Sequence, residues 1–346
     1  MQTSEQSFIA NINFISTQFN RYFSIFIFIF GTVGNILNIL VLAQKTFRTN
    51  SCAFLFMFSS MANLVVIISG LPSRMLSGWD ADLSATNRIV CKLRAVVLNV
   101  SRPIAFWLIL LAAIDRWLLS SSNNHLRQMS SLKNAKRATI VISLSSTIIF
   151  AHTIYCNEPN QLDAPIRCYG ATITCRIVTD TCFTFITTLI PLILMLIFGL
   201  LTIRNVRQAR NRAHPGAIST VSTGSNPNGN PGNSQKRTEY RLLVMLVVQV
   251  FVFLLLGLPL GIEKLVETFT VHYEKSASQK AIDKLLYGIL QQLNFLSNGI
   301  PFYIYTLVGG TIFRRALVKL FVPGASTTVG STNVIGPAQK RPTTTH

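Results

Sequence analysis

The stretch PIAFWLILLAAIDRW (residues 103–117) ends twelve apolar residues with an acid and a base, Asp115 and Arg116. Apolar runs of about 20 residues, the length that a helix needs to cross roughly 30 Å of hydrocarbon, recur along the chain. Seven runs are evident, at about 22–43, 52–72, 93–119, 138–156, 177–203, 241–262 and 285–308. Since backbone exposed to lipid has to satisfy its own hydrogen bonds, these spans are expected to be helices. The sequence therefore predicts an all-α membrane protein, a seven-transmembrane helix bundle, with the charge pair at one end of its third span.

The composition favours a membrane protein over a soluble one. The mean hydropathy is +0.43, only 12% of the residues are charged, and Phe occurs 23 times. A soluble domain carries more charge than this around so many large apolar side chains. The net charge of +19 could indicate a nucleic-acid-binding protein, but the placement of the charges does not favour that class.

The basic residues predict the orientation of the chain in the bilayer. With the N-terminus outside, the inner segments are 44–51, 120–137, 204–241 and 309–346, and they hold 18 of the 31 Lys and Arg residues but one acid, Glu239. The outer segments hold 10 basic and 9 acidic residues. Since cytoplasmic loops are enriched in Lys and Arg, the sequence predicts a plasma-membrane protein with an extracellular N-terminus and a cytoplasmic C-terminus. The basic excess then faces anionic lipid and cytoplasmic partners.

The spans and loops divide the chain into four parts. Residues 1–21 are predicted as an extracellular tail, and residues 22–308 as the seven-transmembrane domain. Within that domain, a tract rich in Ser, Asn, Gly and Pro predicts a disordered cytoplasmic loop over about 210–236. Apolar residues at helical spacing in GGTIFRRALVKLF predict a short interfacial amphipathic helix over 309–321. Residues 322–346 are predicted as a disordered cytoplasmic tail.

Four of the six cysteines fall on the outer side of this topology. Cys91 begins the third span and Cys168 lies in the loop between the fourth and fifth spans. Disulfides persist in an oxidising compartment, and a Cys91–Cys168 bridge would hold this loop over the helix bundle. Cys175 is the alternative partner of Cys91, and Cys156–Cys175 is the candidate second bridge.

The charge pair and one remote acid fall at the inner ends of two helices. Arg116 follows Cys91 by 25 residues, or about 37 Å of helix, so that the two mark opposite ends of the third helix. Glu239, the inner acid, lies about 20 residues before Pro259 near the inner end of the sixth helix. An Arg116–Glu239 bond would tie the third helix to the sixth.

Prolines interrupt three of the spans. Pro191, Pro259 and Pro301 lie inside the fifth, sixth and seventh spans. Proline frees a backbone carbonyl and kinks a helix, so these three positions are predicted helix pivots.

Together these features resemble the rhodopsin-like (class A) G-protein-coupled receptors over about residues 22–321. The matching segments are GNILN (34–38), Cys91 with DRW (115–117), LIPLILM (189–195), FVFLLLGLP (251–259) and SNGIPFYIYTLVGGTIFRRAL (297–317). The resemblance implies a receptor that binds an extracellular ligand and activates a heterotrimeric G protein. The residues that it implies for coupling are Asp115, Arg116, Trp117, Glu239 and Tyr305, and those for a core polar network are Asn35, Asn63 and Asn298.

Some positions depart from the family pattern. Asn63 stands where the family keeps an aspartate that holds a sodium ion, and Gly257 replaces the tryptophan under the ligand pocket. In the seventh span we assign Tyr305 as the motif tyrosine, while the alternative register places Ile304 there. Sodium regulation and the aromatic switch are therefore in doubt in this chain.

The ligand pocket is predicted between the outer halves of the helices. Leu98 occupies the position where amine receptors carry an aspartate, so an amine ligand is not favoured. Arg102 lies within the bundle, where an unpaired charge is costly. It is interpreted either as the group that binds a ligand carboxylate or as paired with Asp180, or with Asn99 and Gln292.

The rim of this pocket carries acidic residues. Asp180, Glu263 and Glu267 predict an acidic outer rim that suits a basic peptide, and Gly257 is a further pocket candidate. The pattern, including FGLLTIRNVRQAR (198–210), resembles invertebrate neuropeptide receptors of the FMRFamide type. A lipid or a small carboxylate is the alternative ligand.

Other function classes find less support in the sequence. A transporter would carry inverted repeats, broken helices at the midplane or acids along a path, and only Arg102 suggests this. The five His residues are scattered among loops and ends, so no enzyme, metal site or cofactor is predicted. Besides the ligand and the G protein, the expected partners are the lipid bilayer and, through the Ser- and Thr-rich loop and tail, receptor kinases and arrestin.

Overall fold

The computed structural model describes residues 2–45, 47–162, 164–213, 231–308 and 310–321. This part of the chain contains seven long helices and a short C-terminal helix. At 2–3, 209–213, 231–243, 308 and 310–312 only the backbone is described. The helices are α1 (Gln2–Leu42), α2 (Ser51–Ser77), α3 (Arg88–Ser120), α4 (Leu132–Phe150), α5 (Ile173–Thr181, Cys182–Leu189 and Ile190–Ala213), α6 (Pro231–Phe269), α7 (Ala277–Gly299, continued by Pro301–Val308) and α8 (Gly310–Phe321). Each of the seven predicted spans lies in its own helix to within a few residues, which confirms the predicted all-α bundle.

Short elements connect the helices. Single helical turns lie at Leu83–Thr86, Asn124–Met129 and Thr153–Cys156. An antiparallel hairpin joins β1 (Asn157–Glu158) to β2 (Tyr169–Gly170), with Asn157 opposite Gly170.

The helices begin where polar side chains satisfy free backbone N–H groups. Asn50 accepts a hydrogen bond from the Ala53 amide at the start of α2, and Asn87 accepts from two amides at the start of α3. Ser131 and Ser276 do the same for α4 and α7. Each such cap stabilises its helix by about 1 kcal/mol, so the loop residues determine where the spans start.

Six of the described helices are long and apolar enough to cross a membrane, and they are α1 to α6. The seventh, α7, is less apolar because its buried face carries Gln291, Gln292, Asn294, Ser297 and Asn298. Its helix is interrupted at Ile300, directly before Pro301, because proline cannot donate a backbone hydrogen bond.

The bundle packs around a core of aromatic side chains. The helix α1 packs against α2 and α7, α2 against α3, α3 against α5, and α6 against α7. Phe56, Phe106, Phe253 and Tyr305 are among its largest fully buried side chains. Dispersion and burial of such rings supply most of the packing energy.

Two glycines allow α1 and α7 to approach closely. A Cβ added at Gly299 would lie 3.0 Å from the Gly31 Cα, and one added at Gly31 would lie 3.3 Å from the Gly299 Cα. Small residues at a helix contact permit such close backbone packing within a membrane.

The first helix begins about 20 residues before the predicted span. Residues 2–21, predicted as a tail, are helical, since no Gly or Pro occurs before Gly31. Ser278 at the start of α7 donates to the Glu5 carboxylate at 2.7 Å, and the Arg21 guanidinium donates to the Gly78 carbonyl. The N-terminal segment therefore packs against the connections of the bundle.

Parts of the predicted loop and tail lie outside the described residues, at 214–230 and 322–346. The backbone at 210–213 continues α5, and that at 231–236 belongs to α6. The predicted amphipathic helix is present as α8, with Phe313 and Ala316 buried against the bundle and Arg314 and Arg315 exposed.

Candidate functional sites at the two ends of the bundle

Two disulfides mark one end of the bundle, which we call the disulfide end. Cys91 at the start of α3 is bonded to Cys168, directly before β2, with a Cα–Cα distance of 5.6 Å. Cys156 is bonded to Cys175 at the start of α5, with a Cα–Cα distance of 5.3 Å. The predicted Cys91–Cys168 pair is therefore present, and Cys175 is not the partner of Cys91.

An ion pair adds a second link between the hairpin and α3. Glu158 on β1 accepts from the Arg88 Nε at 2.9 Å and lies 2.9 Å from the Lys92 Nζ. Hydrogen bonds from Arg88 and then from Lys92 hold the pKa of Glu158 below its ordinary value. The hairpin is thus fixed at both strands, by Glu158 on β1 and by Cys168 beside β2.

A polar cavity of about 300 Å³ opens at the disulfide end between α1, α2 and α3. Four cationic side chains and two acidic side chains are among the residues that line it: Arg74, Arg94, Arg167, Lys284, Asp80 and Asp82. The sequence analysis had assigned none of these six to the pocket, because each resembles an ordinary loop or helix-end charge. The cavity is net cationic, although its rim was predicted to be acidic.

Arg102 lies deeper in α3 and is buried, with 4% of its surface exposed. Its guanidinium carbon is 4.7 Å from the centre of the Phe295 ring and 5.8 Å from that of Phe183. Its Nε and Nη2 have no hydrogen-bond partner among the described residues. A cation over aromatic faces gains some stabilisation, but these two donors remain available.

The partners proposed for Arg102 are engaged elsewhere. Asp180 pairs with Lys264, Asn99 donates to the Ala95 carbonyl at 2.9 Å, and Gln292 donates to Ser24 on α1. The proposed pairing of Arg102 with Asp180 is therefore absent among the described residues, whereas the Gln292 Oε1 acceptor has no partner there.

Asp180 is buried instead of lying on the outer rim. It is 1% exposed, its Oδ1 lies 2.6 Å from the Lys264 Nζ, and its Oδ2 accepts from Tyr169 at 2.5 Å and Thr268 at 2.7 Å. Burial raises the pKa of Tyr169 well above its ordinary value, so this phenol stays protonated and donates. The network joins β2, α5 and α6, and it depends on Lys264, which the sequence analysis had not singled out.

The other two predicted rim acids lie nearer the surface. Glu263 is half-buried, and Glu267 lies 2.8 Å from the Lys275 Nζ, which also lies 2.7 Å from Asp283. Asp180 and Glu267 are thus both paired with lysines, whereas Glu263 has no ion-pair partner among the described residues.

The remaining pocket candidates line the inner surface of the bundle. Leu98 is buried against Gly70. A Cβ added at Gly257 would lie 3.5 Å from the Asn294 amide nitrogen and 3.9 Å from the Phe106 ring. Since Phe106 stacks on Phe253 at 4.4 Å, an aromatic pair lies beside the position at which the family tryptophan is absent.

The predicted core polar residues lie at mid-bundle. The Asn35 amide donates to the carbonyls of Gly31 and Asn298, at 2.8 and 3.0 Å. Asn63 is buried, and both polar atoms of its side chain are without a hydrogen-bond partner among the described residues. Asn35 thus links α1 to α7, and Asn63 presents an amide where a carboxylate would be needed for a cation.

The opposite end of the bundle carries the charge pair, and we call it the Asp115 end. Arg116 Nη2 lies 2.6 Å from Asp115 Oδ2, and both residues are buried. Asp115 Oδ1 accepts from Ser51 at 2.7 Å and from Ser130 at 2.7 Å. The carboxylate therefore joins α3 to α2 and to the turn before α4, through two serines that carry no sequence motif.

Other predicted coupling residues surround this pair. Trp117 packs on Phe198 of α5, with ring centres 5.2 Å apart. The Tyr305 hydroxyl donates to Gln249 of α6 at 2.5 Å, and its ring lies 4.8 Å from that of Phe56. The side chain of Glu239 lies outside the described residues, so the Arg116–Glu239 bond stays a prediction.

The three prolines coincide with different backbone features. Pro191 follows the π-helical segment Cys182–Leu189, and Pro301 follows the interruption of α7. The helix α6 runs without a break across Pro259. Pro191 and Pro301 therefore coincide with irregular backbone, whereas Pro259 does not.

No group of three or more His, Cys, Asp and Glu side chains that could hold a metal ion occurs in the part of the chain that the structure describes. The family described as "7 transmembrane receptor (rhodopsin family)" matches residues 34–299, which reach from α1 to the interruption of α7. No curated protein matches the chain.

Proposed function

The chain belongs to the rhodopsin family of seven-transmembrane receptors, and from this premise we propose that it binds an extracellular peptide at the disulfide end and activates a heterotrimeric G protein at the Asp115 end. It is a multi-pass membrane receptor of a class that signals through G proteins, and it is not an enzyme. The proposal concerns the ligand, the coupling residues and the orientation in the membrane.

A single helix carries the main support for two separate sites. Cys91 lies in the first turn of α3 and Arg116 near its other end, about 37 Å apart along the axis. The disulfide and the polar cavity lie at one end, and the buried Asp115–Arg116 pair lies at the other. Ligand and G protein would therefore bind at opposite ends of one rigid element.

Two observations support an extracellular disulfide end. Disulfides persist in an oxidising compartment, and both bridges are at this end. The loops predicted to lie on the other side hold most of the basic residues, as cytoplasmic loops do. We therefore place the receptor in the plasma membrane with Asp115 towards the cytoplasm.

A neuropeptide is the proposed ligand class, with the FMRFamide type as the proposed subfamily. Besides the cavity of about 300 Å³, a second cavity of about 720 Å³ opens beside Glu267 and Lys275, and together they offer room for several residues of a peptide. A lipid or small carboxylate is the alternative, and the free donors of Arg102 favour it. A transporter finds no comparable support in the family match.

Coupling can be tested with the purified receptor in nanodiscs. Nucleotide exchange on the main G-protein classes would be measured while a neuropeptide library is added. We expect at least one peptide to accelerate exchange. Failure of every peptide together with acceleration by a fatty acid or small carboxylate would replace the peptide by the alternative ligand. Receptor kinases and arrestin, proposed to act on the Ser- and Thr-rich loop and tail, can be added to the same system.

Glu239→Ala is expected to raise ligand-free signalling severalfold. If Glu239 pairs with Arg116 in the resting state, its loss removes about 0.2–1 kcal/mol of stabilisation, which shifts a two-state equilibrium by up to about fivefold. Basal second-messenger levels would be measured at matched surface expression. Glu274→Ala, a change of the same kind at an exposed acid near the disulfide end, is the control. Equal basal levels in both variants would contradict the proposed bond.

A further inference from the structure

We propose that the ligand carries an anionic group (a carboxylate, sulfate or phosphate), and that Arg74 and Arg94 bind this group in the cavity at the disulfide end. This inference rests on the proposed receptor function and names the chemistry that its binding site recognises. Within the proposed neuropeptide class, it favours peptides that carry an acidic group besides their basic residues.

The two arginines come from neighbouring helices and reach the same cavity. Arg74 lies in the last turn of α2 and Arg94 in the second turn of α3, and both line the cavity. Arg74 is 8% exposed and donates to the Gln291 side chain. Arg94 is half-buried and its Nη2 donates to the Gly70 carbonyl at 3.3 Å. Neutral acceptors thus fix one side of each guanidinium.

On the same edge of each guanidinium as the bonded Nη2, one donor has no partner in the described part of the chain. The Nε atoms of Arg74 and Arg94 are buried without a hydrogen-bond acceptor among the described residues. A buried donor without an acceptor is destabilising, and more so on a charged group. An oxyanion in the cavity would supply the missing acceptors, and guanidinium donors match its geometry.

Carboxylates of the protein do not neutralise this pair in the described part of the chain. Neither arginine is within ion-pair distance of an acid. Asp82, which lines the same cavity, instead accepts from the amide and hydroxyl of Ser84 at 2.9 and 2.7 Å, and so caps a helical turn. Arg167 and Lys284 add two exposed cations to the wall, so the field in the cavity favours an anion.

Arg102 continues this cationic path into the bundle. It lies eight residues after Arg94, or about 12 Å further along α3, and two of its donors are also without partners. Phe295 and Leu98 separate Arg102 from the site at Arg74 and Arg94, since both lie against Gly70. The Phe295 ring also faces Arg102. The anionic group would bind at Arg74 and Arg94, and an apolar part of the ligand would contact Phe295.

Inorganic sulfate is a direct probe of this site. The purified full-length receptor would be unfolded by heat in detergent with increasing sulfate, and compared with NaCl of equal ionic strength. A ligand that binds only the folded state raises the Tm, and we expect about 4 °C at tenfold excess over Kd. Arg74→Gln and Arg94→Gln should lose at least half of the sulfate-specific shift.

Matched variants separate the site from general salt effects. Sulfate also stabilises proteins by exclusion from their surface, and this part of the shift is common to all variants. Arg137→Gln removes an exposed arginine from α4 and should keep the whole shift. Arg94→Lys keeps the charge and should keep part of it. If Arg74→Gln misfolds, Arg94→Gln alone decides, because Arg94 bonds to a backbone carbonyl that any residue retains.

The outcomes distinguish this proposal from the proposed function. A sulfate shift that is equal in the wild type, Arg74→Gln and Arg94→Gln would overturn the anion site. A receptor that shows the expected shift but never promotes nucleotide exchange would retain the anion site and lose the proposed coupling.

Discussion

Arg116→Ala is expected to reduce agonist-stimulated nucleotide exchange by at least 30-fold while surface expression and ligand affinity stay close to wild type. The Arg116 guanidinium is buried at the Asp115 end and forms a 2.6 Å ion pair with Asp115. If it becomes a contact of the G protein, its loss costs about 2–5 kcal/mol of binding energy, and each 1.4 kcal/mol is about tenfold. Exchange assays and cell-surface staining would be measured on the same preparations.

Asp115→Asn tests the same site in the opposite direction. The amide oxygen can still accept from Ser51 and Ser130, which now bond to Asp115 Oδ1, but the negative charge that holds Arg116 is gone. We expect basal nucleotide exchange to rise, since Arg116 is then released to contact the G protein at the Asp115 end. Arg127→Ala removes an exposed arginine from the turn before α4 and should change neither basal nor agonist-stimulated nucleotide exchange. Undiminished exchange in Arg116→Ala would exclude Arg116 from the coupling site.

The helices were predictable because lipid imposes simple rules on sequence. A span needs about 20 apolar residues with internally bonded backbone, and α1 to α6 follow this pattern, whereas α7 is less apolar. The extension of α1 over residues 2–21 was not predicted, because the segment has ordinary polarity and its helix depends on contacts such as Glu5–Ser278. The π-helical segment in α5 was also missed, since nothing in CFTFITTL distinguishes it from an α-helix.

The polar contacts of the sites were less predictable, because a pairing in space leaves no mark in the sequence. Asp180 was assigned to the rim from its position near the end of a span, but Lys264, 84 residues away, draws it into the core. Ser51 and Ser130 bind Asp115 from two other segments. By contrast, topology limited the partners of Cys91 to outer cysteines, which meet an oxidising environment, and the structure shows Cys168, not Cys175, as the partner.

The position of Arg102 follows from hydropathy, but its contacts do not. Hydropathy identified a charge within the bundle, and a buried charge indicates either a partner or a function. Of its proposed partners, Asp180 pairs with Lys264 instead, and Asn99 and Gln292 donate their amide hydrogens to other groups. Ligand binding by Arg102 stays a prediction. Arg74 and Arg94 could not be recognised in the same way, because each lies where a helix end normally carries a solvated cation.

Loss of one partner of the buried Asp180–Lys264 pair should strongly destabilise the disulfide end. Asp180 and Lys264 are 1% and 8% exposed, and their atoms are 2.6 Å apart. Asp180→Asn leaves a buried lysine without its counter-ion, which typically costs about 3–5 kcal/mol. We expect the apparent Tm of the purified receptor to fall by about 10 °C.

A double variant distinguishes the stability that the ion pair contributes from the cost of leaving one buried charge unpaired. Asp180→Asn combined with Lys264→Met removes both charges, so the Tm should recover part of the loss, as coupled positions are non-additive. Glu267→Gln alters a partly exposed pair with Lys275, and should cost less than about 1 kcal/mol. If the Tm of Asp180→Asn lay within 2 °C of that of Glu267→Gln, the buried network would add about 1 kcal/mol of stability at most. A large loss that the double variant reverses would instead show that the buried Lys264 charge needs Asp180 as its counter-ion.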